Sequence, residues 1–123
     1  MLAHAREAAP HECCGLLIGH GERIAEAIPA RNLSEAPMTT YIVDPRDHFA
    51  AIRSARARSL DVVGAYHSHP RSAAVPSSTD TVGAFTRFLF VIIGLGTDPP
   101  EITAWRWVEG NFDRVVLVGD LKG

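Results

Sequence analysis

Asp61-Val62-Val63-Gly64-Ala65-Tyr66-His67-Ser68-His69-Pro70 is the stretch on which the fold of this chain turns. Asp61 to His67 reads as a strand of apolar character that runs into a Pro- and Ser-rich loop from Pro70 to Pro76. Downstream, Ser77 or Ser78 opens a helix carrying Val82, Phe85 and Leu89 along one side. Leu89 to Gly94, Glu101 to Val108 and Phe112 to Val118 follow as strands, the last two joined around Glu109-Gly110-Asn111. Upstream, Asp44-Pro45 starts a helix, with Asp at the cap and Pro at the first helical position. Phe49, Ile52 and Ala55–Arg56 keep its spacing to about Ser59, and Arg53, Arg56 and Arg58 read as a solvated outer face. Thr39 to Val43 is β-branched enough for a strand, after a polar loop from Arg31 to Pro37. Cys13 to Gly19 and Arg23 to Ala30 form a hairpin across a Gly-His-Gly-Glu turn, the first strand buried on both faces. Residues 1–9 are the end of a helix stopped by Pro10 and His11. The sum is one mixed sheet with two or three helices packed on it, an α/β or α+β domain spanning 1–123.

Composition narrows the function. The 123 residues are 46% hydrophobic and 21% charged, ordinary for a globular chain and unlike a disordered tail. Folding a chain of this size buries roughly two thirds of its surface, enough for a core without staples. A formal charge of -2 advertises no polyanionic partner, so nucleic acid is not expected. The longest apolar run, Phe88 to Ile93, is too short to cross a membrane. Arg6, Glu7 and Pro10 interrupt what a signal-peptide core would need. The two cysteines, Cys13 and Cys14, are neighbours and cannot form an ordinary bridge, so a reducing, cytoplasmic setting is expected.

The chemistry concentrates in His67-Ser68-His69-Pro70, six intervening residues, then Ser77-Ser78-Thr79-Asp80. Residues i and i+2 of a strand face the same side, so two imidazoles can converge on one ion. The loop lets Asp80 swing back as a third, anionic ligand. Three protein ligands with one open position is the plan of a catalytic zinc, whereas structural sites are usually closed by cysteines. Chance gives roughly 0.3 His-x-His pairs in such a chain, but only about 6 in 100,000 once Pro70, Ser77 and Asp80 are also required. Taken singly, each residue has a plainer reading. Ser77 with Asp80 makes a capping box, His67 is a half-buried strand histidine, His69 a loop residue bonded to the backbone, and Glu12 a surface residue. One metal explains the set. Cys13 and Cys14 read as small buried residues rather than nucleophiles, and His4, His11, His20 and His48 as surface groups.

The string His67-Ser68-His69-Pro70…Ser77-Ser78-Thr79-Asp80 resembles the JAMM metalloprotease motif of the MPN/Mov34/PAD-1 family. Pro10-His11-Glu12-Cys13-Cys14-Gly15-Leu16-Leu17-Ile18-Gly19 is similar to the segment that supplies that family's upstream glutamate, with Glu12 as the match. The similarity extends through Asn32, Tyr41–Pro45 and Val62–Tyr66. The resemblance implies a sheet wrapped by helices in a cytidine-deaminase-like layered architecture, and one zinc on His67, His69 and Asp80. It further implies Glu12 as general acid–base and Ser77 as donor to the oxyanion. Zinc so held makes hydroxide available near neutral pH.

Departures from the larger members narrow the resemblance. No histidine or cysteine follows His69, so the second zinc site of the ubiquitin-chain-trimming members has no ligands. The insertions that grip two ubiquitins are short or absent. The chain is similar to the compact prokaryotic branch, whose partners are small ubiquitin-like or sulfur-carrier proteins ending in Gly-Gly. Two reactions follow: cleaving an isopeptide bond to a lysine, or releasing cysteine from the carrier's C-terminus, the second favoured. The alternatives are a non-catalytic partner-binding domain of the same fold, which the intact ligand set argues against, and a RadC-like DNA-repair protein, which the net charge does not support. Zinc nucleobase deaminases are excluded, since they need His-x-Glu and Pro-Cys-x-x-Cys.

Overall fold

The computed structural model describes residues 1–77, 80 and 88–118. Its elements are α1 (Leu2–Ala8), β1 (Cys14–His20), β2 (Arg23–Ala30), α2 (Pro45–Ala57), β3 (Asp61–His69), β4 (Leu89–Gly94), β5 (Glu101–Val108) and β6 (Asn111–Val115). They build a six-stranded sheet in the order β2-β1-β3-β4-β5-β6. The β3–β4 pair is parallel and every other pair antiparallel, so the sheet is mixed, as expected.

Both faces of the centre are covered. On one face Met1, Ala5 and Cys13 pack with Leu17, Tyr66, Leu89, Val91, Ile93 and Ala104. On the other, Ala51 and Ala55 of α2 pack on Leu16, Ile18 and Ala65. β1 is therefore apolar at both parities, and each fully buried Leu or Ile contributes about 1.5–3 kcal/mol. Gly15 has a specific duty here. A Cβ at that position would come 2.1 Å from the Tyr66 ring, which lies across its strand partner.

α2 starts where the sequence says it should. The Asp44 side chain accepts from Arg46 N, and Pro45 occupies the first turn. Its buried face differs from the expected one: Ala51 and Ala55 face the sheet, while Phe49 is 63% exposed. Small side chains let the helix lie close to β1 and β3. Arg53, Arg56 and Arg58 are exposed, and Arg58 pairs with Glu26 at 2.7 Å.

Thr39–Val43 is not a strand. Only an isolated bridge joins Asn32 and Val43. Leu33 N and Asp44 N pair across that bridge with Ile42 O and Arg31 O. The Asn32 side chain, however, takes Thr40 O and Ile42 N, and Thr39 N and Thr40 N turn back to Ala36 O, so the pairing does not extend into a ladder. β3 runs two residues longer than expected, because Ser68 and His69 continue the ladder to Ile93 and Gly94. β6 stops at Val115, and residues 116–118 lie outside the ladder. The helix expected from Ser77 or Ser78 lies outside the described residues except at Asp80, and Leu89 opens β4. Among the described residues, no helix is long and apolar enough to cross a membrane.

Candidate active site

The two extra residues of β3 matter for chemistry, because they put His67 and His69 on one strand and one face. Both rings are buried, at 1% and 6% exposure. Their Nε2 atoms lie 3.1 Å apart. Asp80 turns one oxygen to each ring, with Oδ1 3.1 Å from His67 Nε2 and Oδ2 3.3 Å from His69 Nε2. One ligand atom from each of the three residues falls within 4.8 Å of the others. Ser77 N donates to Asp80 Oδ2 at 2.8 Å, and Asp80 N donates to Ser77 O at 3.1 Å. The turn-closing reading and the ligand reading of Asp80 are therefore compatible, since one carboxylate has oxygens enough for both.

Two features test whether a metal fits. Tetrahedral zinc with bonds of about 2.0–2.1 Å spaces its donor atoms about 3.3 Å apart, close to the 3.1 Å between the two Nε2 atoms, with an Asp80 oxygen within 4.8 Å of both. The second is the direction of the lone pairs. His69 Nδ1 sits 2.9 Å from Ala73 O, a pure acceptor, so Nδ1 carries the hydrogen and the Nε2 lone pair faces inward. His67 Nδ1 is buried with no hydrogen-bond partner among the described residues, and its ring stacks on Tyr41 at 4.4 Å and 20°. A carboxylate and inward-facing imidazole nitrogens crowd one point that a cation relieves. The His-His-Asp group fits a divalent metal.

The charges agree. Burial pushes the His67 ring below the usual imidazole value, outweighing its bond to Asp80. Burial also acts against His69, but the Asp80 hydrogen bond, the Ala73 carbonyl and the charges of Asp80 and Glu12 raise it. Asp80 loses water too, yet the bonds from both rings hold its carboxyl far below the carboxylate range.

Glu12 lies just before β1 and is 6% exposed. Burial raises its carboxyl to about 7, with His69 opposing and Asp80 adding to the rise. Its Oε1 has no hydrogen-bond partner among the described residues. Glu12 shares with His69, Ser77, Met38 and Arg71 a groove of about 350 Å³. Thus all five sequence-derived candidates come together: His67, His69 and Asp80 as a cluster, Glu12 and Ser77 on the groove beside it.

The sequence reading missed what holds Glu12. Glu12 N donates to Pro37 O at 2.6 Å. Asn32 Nδ2 donates to Glu12 O and to Thr40 O, both at 3.1 Å, while Asn32 Oδ1 accepts from Ser34 N and Ile42 N. All four bonding positions of one amide are spent fixing the glutamate's backbone to the loop that carries Tyr41. An Asn in a polar loop gives no signal of this. Cys13 and Cys14 are buried core, and burial pushes the Cys14 thiol up to about 12, which keeps it inert. His11 and His20 are exposed and His48 half-buried. His4 departs from the expected surface role: its Nδ1 lies 2.8 Å from the Tyr66 hydroxyl, tying α1 to the sheet.

Residues 1–108 match the family described as prokaryotic homologs of the JAB domain. The chain belongs to this family. Among its JAB relatives, a desampylase of Haloferax volcanii is 33% identical over 119 residues, covering 91% of this chain and 84% of that protein. A probable TtuB-protein conjugate cleaving protease of Thermus thermophilus is 36% identical over 116 residues, covering 94% and 75%. A CysO-cysteine peptidase of Mycobacterium tuberculosis is 32% identical over 114 residues, covering 89% and 77%. The solution structure of protein DSY2949 from Desulfitobacterium hafniense superposes with a TM-score of 0.84 at 32% identity, covering 99% of this chain and 88% of that one. A JAB1/MPN domain protein from Archaeoglobus fulgidus shares the fold, with a TM-score of 0.58 at 24% identity over 94% and 86% of the two chains. The expected fold family is borne out, and its place among named peptidases makes this JAB chain a hydrolase.

Proposed function

We propose that the chain is a zinc-dependent hydrolase that cleaves after the C-terminal Gly-Gly of a small ubiquitin-like or sulfur-carrier protein. The observation that carries this reading is the convergence of His67, His69 and Asp80 in one cluster, whose His69 lines a groove together with Glu12 and Ser77. His67, His69 and Asp80 hold the metal, which when bound supplies Lewis acidity and the means to ionise water near neutral pH. Glu12 is the general base. A carboxyl held at about 7 by burial takes a proton from the attacking water and returns it to the leaving amine near neutrality. Ser77, on the same groove, donates to the oxyanion as the carbonyl becomes tetrahedral. The C–N bond then breaks, leaving a glycine carboxylate and a free amine.

A groove of about 350 Å³ is at the small end for a ligand site, and it suits an extended tail without side chains. The names of the relatives point to protein conjugates and to a cysteine adduct as substrates in those proteins. Between the two leaving groups, Arg71 on the groove favours cysteine, because it can pair with the carboxylate of a released free amino acid. The two buried free thiols suit a reducing cytoplasm.

The test incubates zinc-loaded protein with a Gly-Gly carrier bearing either a C-terminal cysteine or a lysine-linked protein, and reads intact mass. The expected result is loss of the group after Gly-Gly, faster for the cysteine adduct. Both substrates remaining intact overturns the reading.

A further inference from the structure

The register sets one row across the sheet, Cys14–His67–Ile92–Thr103, and neighbours in a row share a face. Thr103, two strands from His67, therefore points to the side of the sheet that carries the two imidazoles. It is 2% exposed. Trp105 Nε1, which can only donate, bonds Thr103 Oγ1 at 2.7 Å. That leaves the Thr103 hydroxyl hydrogen for Ala74 O, at 2.5 Å. Arg114 lies over the Trp105 ring, 5.2 Å from its centre.

The recipient of this bond is the residue next to the carbonyl that orients His69. Ala73 O accepts from His69 Nδ1 at 2.9 Å and from Val75 N at 2.9 Å. The loop is also pressed against the end of β4: a Cβ at Gly94 would come 2.5 Å from Ala74 N and 2.9 Å from Ala73 C. Leu95 N and Gly96 N bond His69 O and Ser72 O. The loop after the histidines is thus seated on β4 by backbone and pulled toward β5 by one side chain.

We infer that Thr103, oriented by Trp105, is a positioning residue: by fixing Ala74 it sets the Ala73 carbonyl, and through it the ring angle and tautomer of His69. The inference rests on the metal reading above and deepens it. Outer partners of a ligating histidine are worth 10–100-fold in metal affinity, and Thr103 acts one link further out, so the low end applies.

The variants are Thr103→Val, which keeps the shape and removes the hydroxyl, Thr103→Ser, which keeps the hydroxyl, and Trp105→Phe, which removes the indole donor. Zinc affinity is measured by chelator competition, and the His69 ring nitrogens are followed by ¹⁵N NMR in metal-free protein at a pH where the ring is neutral. Thr103→Val is expected to weaken zinc about 10-fold and to raise the share of the Nε2–H tautomer. Thr103→Ser stays near wild type, and Trp105→Phe falls between. Wild-type affinity and an unchanged tautomer in Thr103→Val overturn the inference. Should the wild type bind no zinc, the metal reading falls, and the tautomer measurement still decides the role of Thr103. Trp105→Phe, at a half-buried site, keeps the test alive if Thr103→Val fails to fold.

Discussion

Glu12 shows how much one residue's chemistry depends on where the fold puts it. In water its carboxyl would be ionised near pH 7 and a poor proton carrier in both directions. Buried beside His69 and Asp80, it is raised to about 7, where it can accept and return a proton with little loss. Glu12→Gln is therefore expected to retain one zinc per chain by elemental analysis and to lose activity by about 10²–10⁴-fold. Ser77→Ala should also keep the metal and lose on the order of 10²–10³-fold. The double variant His67→Ala/His69→Ala should lose the metal itself. Loss of zinc in Glu12→Gln would make that residue a ligand and require the roles to be redrawn. The histidines were legible in the sequence because strand geometry has period two, a local property. The state of Glu12 was not, since its proton affinity is set by burial and by charges that arrive from β3 and from Asp80.

At the scale of elements, α2 was the most legible and the segment before it the least. Asp44-Pro45 states a helix start through side-chain capping and fixed φ, both of which act within two residues. Arg46, through its guanidinium and its backbone N–H, holds the Asp44 carboxyl below the usual range, against the cost of burial and with Arg31 helping. A depressed pKa means that the stability it lends is fully present above the unfolded value, about 3.9, and is lost as pH falls through the folded one. Asp44→Ala is expected to lower Tm by about 4 °C at neutral pH, with Asp44→Asn, itself a good cap, losing less. The gap between wild type and Asp44→Ala should close in melts taken progressively below pH 4; a gap that widens there would refute the linkage. Thr39–Val43 misled because β-branched composition reports preference, not partners. Asn32, seven residues before Thr39, takes Thr40 O and Ile42 N with its side chain, and the pairing stops at one bridge. Phe49 misled for the opposite reason: a large apolar residue looks like a core contact, yet the close seat of α2 on the sheet admits only Ala51 and Ala55.

For the whole molecule, the sheet presents a narrow groove beside a buried His-His-Asp cluster, and that shape argues for a tail with no side chain next to the cut bond. The matching test compares a carrier with its Gly-Gly tail against one whose final glycine is alanine or valine. Turnover should fall at least tenfold for valine, read by intact mass, because a branched Cβ must enter where the tail's backbone approaches the His-His-Asp cluster. Equal turnover would overturn the substrate class and leave the metal chemistry standing. The sequence alone determined the helix start at Asp44, the β1–β2 hairpin, and the spacing of His67, His69 and Asp80, since each follows from backbone periodicity or from side chains acting on their own turn. That β3 runs on through His69 was decided by its pairing with β4. Only the tertiary structure decided the rest. The order β2-β1-β3-β4-β5-β6 brought Thr103 into the row of His67, closed Asn32 onto Glu12 and buried that carboxyl. Those relations join residues 20 to 36 positions apart or more, or depend on water excluded by the whole sheet, and no local pattern of side chains encodes them.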